Sequence, residues 1–169
     1  SVSNANISRE TQERFERQSL LFYTGVRRSS VDILEEQQLG VRENKIDVIE
    51  LKHQTKSIGQ EILAAFERGD LDEFGRLLDR HWEVKKQMSQ KMSSGVFDAI
   101  YAAVKNAGAL GGKIVGAGGG GFFLVYCRAG AESAVRDVFK QYNLREVPFR
   151  VDSAGTQVLL NRPRAVNTI

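Results

Sequence analysis

Apolar positions along the chain alternate between compact runs and long helical stripes. Charged residues from Ser8 to Gln18 surround only Ile7 and Phe15, which predicts a short surface helix or ordered lead-in. Leu20-Leu21-Phe22-Tyr23-Thr24 is a compact apolar run closed by Gly25, the pattern of a first strand. From Asn44 to Arg68, Ile46, Ile49, Ile58, Ile62 and Phe66 recur at near-helical intervals and predict a long helix with one apolar side. Gly69-Asp70 ends that helix, and Asp70 with Glu73 has the spacing of a capping box for the next. Leu71, Phe74, Leu78, Trp82, Lys85 and Met92 run along one side of this second helix, so the two make a helical hairpin. Ser94 caps a third helix with the stripe Val96, Phe97, Ile100, Val104 and Ala107, ended by Gly108.

The pattern then changes. Eight of the sixteen glycines fall between Gly108 and Gly121, and Gly116-Ala117-Gly118-Gly119-Gly120-Gly121 lies between two apolar, β-prone segments. A phosphate-binding P-loop or a dinucleotide fingerprint needs a helix opening after the glycines. Phe122 to Cys127 lacks helical spacing and reads as a strand, and no Lys-Ser or Lys-Thr follows the last glycine. Both nucleotide motifs are thereby disfavoured. A hairpin whose glycines serve only tight turns and bulges stays open on shape alone, although six residues exceed what a simple hairpin needs.

Gly130 to Tyr142 predicts a helix with Ala134, Val135, Val138 and Phe139 inward. Val147 to Val151 and Gln157 to Leu160 predict two strands around the turn Asp152-Ser153-Ala154-Gly155. The order strand, helices, strand, strand, helix, strand, strand implies an α+β fold. It is a ferredoxin-like two-layer sandwich, an antiparallel sheet with helices on one face and an inserted helical hairpin.

Length and composition narrow the function classes. A chain of 169 residues suits one domain and buries ~70% of its unfolded surface without covalent staples. The single cysteine, Cys127, lies within an apolar strand, which excludes a disulfide framework within the chain and favours a cytoplasmic location. The net charge of +3 is modest and scattered, unlike the dense basic stripe of a nucleic-acid binder. No apolar run approaches the ~20 residues of a membrane span, so neither nucleic acid nor membrane is an expected partner. Residue 1 is serine, which points to a piece of a longer protein.

Two clusters carry candidate chemistry. Ser29 and Asp32 have N-cap spacing, and Arg27 and Arg28 beside a helix start would suit an anion or phosphate; an ordinary cap with solvated arginines is the alternative. In the second helix His81 shares a face with Lys85, and Trp82 with Lys86, so that both lysines would reach one anionic ligand. The alternative is a core tryptophan, solvated lysines and a hydrogen-bonded histidine. His53 has less support.

Lys113-Ile114-Val115 with the glycine run to Gly121 resembles the third, C-terminal signature of the GHMP kinases, and the match is complete across the loop. Leu21 to Ser30 with Ile33-Leu34 resembles the opening strand and loop of that family's C-terminal domain. The helix bearing Trp82, Lys85 and Lys86, and the run Asp98 to Gly112, resemble the heptose-phosphate kinase branch. The resemblance implies residues 1–19 as a lead-in with a short helix, residues 20–169 as the C-terminal domain, and a nucleotide-loop domain outside this chain. It implies an ATP-dependent kinase acting on D-glycero-D-manno-heptose 7-phosphate at the anomeric position, for nucleotide-heptose and cell-surface polysaccharide synthesis. Galactokinase-like, mevalonate-like and non-catalytic metabolite-binding readings are the alternatives.

By the same resemblance, ATP and Mg2+ are held mainly by the missing domain, and no catalytic residue or metal ligand is assigned within this chain, which alone is expected to be inactive. Gly116 to Gly121 would pack against the phosphate-binding loop. Thr24, Arg27, Arg28, Ser29, Ser30, Trp82, Lys85 and Lys86 are the substrate-binding candidates. Expected partners are ATP, a small sugar phosphate and the protein's own N-terminal domain, with a homodimer as a candidate assembly.

Overall fold

A computed structural model describes residues 5–25, 35, 38, 46–88, 95–115 and 120–152. Helix α1, Arg9–Gln18, starts where the Ser8 hydroxyl accepts the Thr11 N–H, and it leads directly into β1, Ser19–Tyr23. The helical hairpin follows as α2, Ile46–Glu67, and α3, Leu71–Met88. The Asp70 carboxylate accepts the Glu73 N–H at 3.1 Å, which is the cap expected from the spacing. Next come α4, Gly95–Asn106, strands β2, Ala109–Val115, and β3, Phe122–Cys127, helix α5, Glu132–Gln141, and a short β4, Arg145–Glu146.

The four strands form one antiparallel sheet in the order β2-β3-β1-β4, the order of a ferredoxin-like sheet. Leu20 lies opposite Val125, Phe22 opposite Phe123, and Ile114 opposite Phe123 on the other side. Period-two alternation therefore places Leu20, Phe22, Ile114, Phe123, Val125 and Cys127 on one face. These residues form a continuous core with Ile100, Val104, Val135 and Phe139 of α4 and α5. Phe22 and Phe139 stack with centroids 3.9 Å apart.

The hairpin brings a second core of its own. Ile58, Ala65, Leu71, Phe74, Leu78 and Val84 cluster there, and Tyr126 joins it from β3. Phe15 of α1 packs edge-on against Phe66 and Phe74. The Tyr126 hydroxyl donates to Gln18 Oε1 at 2.9 Å, while Gln18 Nε2 donates to the Cys127 carbonyl at 3.3 Å, so α1 is fastened to β3.

Three local expectations change. In α4, Tyr101 occupies the buried stripe and Val96 is 63% exposed. In α5, Val135 and Phe139 are buried, but Ala134 is exposed. No strand runs from Val147 to Val151. The Val147 N–H donates once to the Leu21 carbonyl at 2.7 Å, and Pro148, which has no N–H, cannot extend the ladder. The expected helix from Ser29, the Ser94 cap, Met92 and the strand at 157–160 lie outside the described residues. Among the described residues no helix is long and apolar enough to cross a membrane.

Candidate functional site

Strands β2 and β3 stay paired to Val115 and Phe122, and the glycine loop connects them. Gly116, Ala117, Gly118 and Gly119 lie outside the described residues, while Gly120 and Gly121 are described. Gly121 adopts φ +96°, a conformation that a side chain would strain. Its carbonyl accepts two hydrogen bonds from Thr24 at the end of β1, from the N–H at 2.9 Å and from Oγ1 at 3.0 Å. Thr24 is buried, so its hydroxyl positions the loop from beneath. This differs from the expected direct contact with substrate. Arg27, Arg28, Ser29 and Ser30 lie outside the described residues.

One wall of the site is the packing of α3 along β2. A Cβ placed on Gly111 would lie 2.0 Å from the Gly75 carbonyl oxygen and 2.7 Å from the Asp79 nitrogen, so helix and strand backbones touch there. The contact is locked by polar groups. The Tyr101 hydroxyl donates to the Asp79 carboxylate and accepts the Gly112 N–H at 3.1 Å. Lys105 pairs with Asp79 at 2.9 Å and donates to the Leu110 carbonyl at 2.7 Å. Burial, followed by the hydrogen bond to Asp79, pushes the Tyr101 phenol well above its ordinary range.

Further along the same pair, the charges of Lys113 of β2 and Lys85 of α3 act on His81 of α3, and that of Lys85 acts on Lys113. All three are partly buried. Desolvation lowers both lysines, and for Lys113 the positive charge of Lys85 adds to the effect. Burial, then Lys113 and Lys85, pushes His81 down to about 4, so the imidazole is neutral at pH 7. Its Nδ1 is buried without a hydrogen bond. Among the described residues, no carboxylate pairs with Lys85 or Lys113.

The expectation for this helix is thus corrected in two places. Trp82 is 1% exposed and belongs to the main core, so it lines no cleft. Lys86 turns away to Glu83 at 2.8 Å and Asp98 at 3.5 Å; desolvation opposes its charge, but these acids raise it overall. The cation that joins Lys85 is Lys113, which in the sequence stands out only as part of the glycine motif. Its position two residues before the end of β2 was the available signal. A donor set of two lysines and an imidazole fits an anion rather than a bare metal ion.

Residues 62–144 match the family model described as "GHMP kinases C terminal". An L-fucokinase/L-fucose-1-P guanylyltransferase of Bacteroides fragilis is 32% identical over 117 residues, covering 69% of this chain and 12% of that protein. A D-glycero-alpha-D-manno-heptose 7-phosphate kinase of Campylobacter jejuni is 27% identical over 143 residues, covering 85% of this chain and 39% of that protein. The chain therefore spans well under half the length of either. The solved structure of L. major mevalonate kinase with R-mevalonate shares the fold at TM-score 0.66 and 20% identity, covering 73% of this chain and 37% of that one.

Proposed function

Residues 62–144 belong to the C-terminal family of the GHMP kinases, and from that premise we propose that this chain is the C-terminal part of an ATP-dependent sugar or sugar-phosphate kinase. The observation that carries the reading is the glycine hairpin, anchored through Gly121 to Thr24, inside a segment of that family. A run of glycines lets a polyphosphate come close to bare backbone, where bulky side chains would hold it away. Phosphoryl transfer asks chiefly for positioning of two anionic reactants and for neutralisation of the transferring oxygens.

The acceptor we favour is D-glycero-D-manno-heptose 7-phosphate, phosphorylated at the anomeric hydroxyl. It is supported by the 27% identity to the Campylobacter jejuni heptose 7-phosphate kinase across most of the chain. The fucokinase relative favours a free sugar as the second reading. Mg2+ and the adenine nucleotide are assigned chiefly to sequence beyond these residues, as are the base and the metal ligands. Arg27 and Arg28 are proposed to hold the phosphate already on the acceptor. In this scheme Thr24 and the described end of the glycine loop shape the wall between donor and acceptor.

Calorimetry with Mg-ATP tests this division of labour. The parent protein is expected to bind the nucleotide, and residues 1–169 alone to bind it weakly or not at all. Tight binding by the isolated chain would place the nucleotide site here and overturn the scheme.

A further inference from the structure

Three cationic or basic groups converge on the α3–β2 seam outside the glycine loop itself. Gly111 meets α3 at Gly75 and Asp79. From there β2 advances about 7 Å to Lys113, on the same strand face as Gly111, while α3 advances about 9 Å from Asp79 to Lys85. Phe74 of α3 packs edge-on against Tyr126, which shares its sheet face with Gly111 and Lys113, and Leu78, His81 and Lys85 continue the Phe74 stripe at helical spacing, so the stripe and Lys113 face the same side of the sheet. His81, one helical turn before Lys85 on the same helix face, has its buried Nδ1 unbonded.

Partly buried like charges repel and are held only where something compensates them. Neighbouring cations solve the problem with carboxylates: Lys105 has Asp79, and Lys86 has Glu83 and Asp98. Lys85 and Lys113 have no such partner among the described residues.

We propose that Lys85 and Lys113, with His81 beside them, form a phosphate-binding subsite on the α3–β2 seam. Its ligand is a phosphate monoester or polyphosphate carrying about two negative charges, held by charge-assisted hydrogen bonds from both ammonium groups. The site rests on this geometry. The kinase reading enters only in naming the two sources of that phosphate, the nucleotide and the phosphorylated acceptor.

The chain has two histidines, and His53, exposed on α2, serves as an internal control. The ring signals of both are followed by NMR while pyrophosphate is added at constant ionic strength. Pyrophosphate is expected to shift His81, to raise its titration midpoint from about 4 and to leave His53 unmoved. Lys85→Gln or Lys113→Gln is expected to weaken pyrophosphate binding about tenfold or more, the equivalent of one charge-assisted hydrogen bond. Lys86→Gln is expected to change nothing. An equal response of both histidines, or a loss in Lys86→Gln as large as in Lys113→Gln, overturns the site.

If a glutamine variant fails to fold, Lys85→Arg and Lys113→Arg preserve the charge. A retained response in these supports the subsite, and its loss in folded arginine variants contradicts it. Competition on the parent protein separates the sources. Displacement of pyrophosphate first by ATP assigns the donor, displacement first by mannose 6-phosphate assigns the acceptor, and displacement by neither refutes the proposal. A parent protein that transfers phosphate while His81 ignores pyrophosphate would lose the subsite but keep the kinase reading.

Discussion

Gly111→Ala tests the seam on which the site is built. The added Cβ would sit 2.0 Å from the Gly75 carbonyl oxygen and 2.7 Å from the Asp79 nitrogen, and both are backbone atoms that no rotamer change can move aside. Ordinary contact is about 3.5 Å, so strand and helix must separate by roughly 1.5 Å. That displacement also stretches the 3.1 Å hydrogen bond from Gly112 to Tyr101. A cost near the top of the overpacking range, about 3 kcal/mol, corresponds to a fall in Tm of roughly 6–12 °C for a chain of this size. Thermal unfolding followed by far-UV circular dichroism measures it. A variant with an unchanged midpoint would refute the claim that α3 and β2 are in backbone contact.

The opposite sign is expected at Gly59, inside α2, where a Cβ meets nothing within 4 Å: Gly59→Ala should add about 0.5–1 kcal/mol in the same assay. Thr24→Val removes the Oγ1 donor but keeps the N–H bond to Gly121, and should cost about 1 kcal/mol in chemical denaturation. Because His81 has a depressed folded-state pKa, the unfolded chain binds more protons between about 6.5 and 4, and stability falls as pH falls through that window. His81→Gln should flatten this part of the stability–pH curve. Cys127 is fully buried and desolvation pushes its thiol up to about 12, so it should resist iodoacetamide at pH 8 until the protein unfolds.

Where the sequence carries its own local physics, it foretold the structure well. The capped helical hairpin follows from Asp70 and Glu73, and the strand–loop–strand order follows from compact apolar runs on either side of the glycines. Errors arose where distant parts of the chain decide. The α4 stripe could include either Val96 or Tyr101, and the choice fell to Tyr101 because Asp79 and Gly112 bind its hydroxyl. Thr24 reads as the end of a strand beside the substrate until Gly121, 97 positions away, is seen to accept both its N–H and its hydroxyl. Lys85 and Lys86 look equivalent in sequence, yet Asp98 is within reach of one and Lys113 approaches the other. The length of β4 depended on a cue that was visible in the sequence, the missing donor at Pro148.

The central claim is that this chain completes a sugar-directed kinase. Its most direct test presents the parent protein with Mg-ATP and, side by side, D-glycero-D-manno-heptose 7-phosphate, L-fucose, galactose and mevalonate, with products read by phosphorus NMR. The account predicts a new anomeric phosphate on the heptose 7-phosphate, formed faster than any other product. ATP left intact by every acceptor, in a folded parent protein that binds the nucleotide, would contradict it.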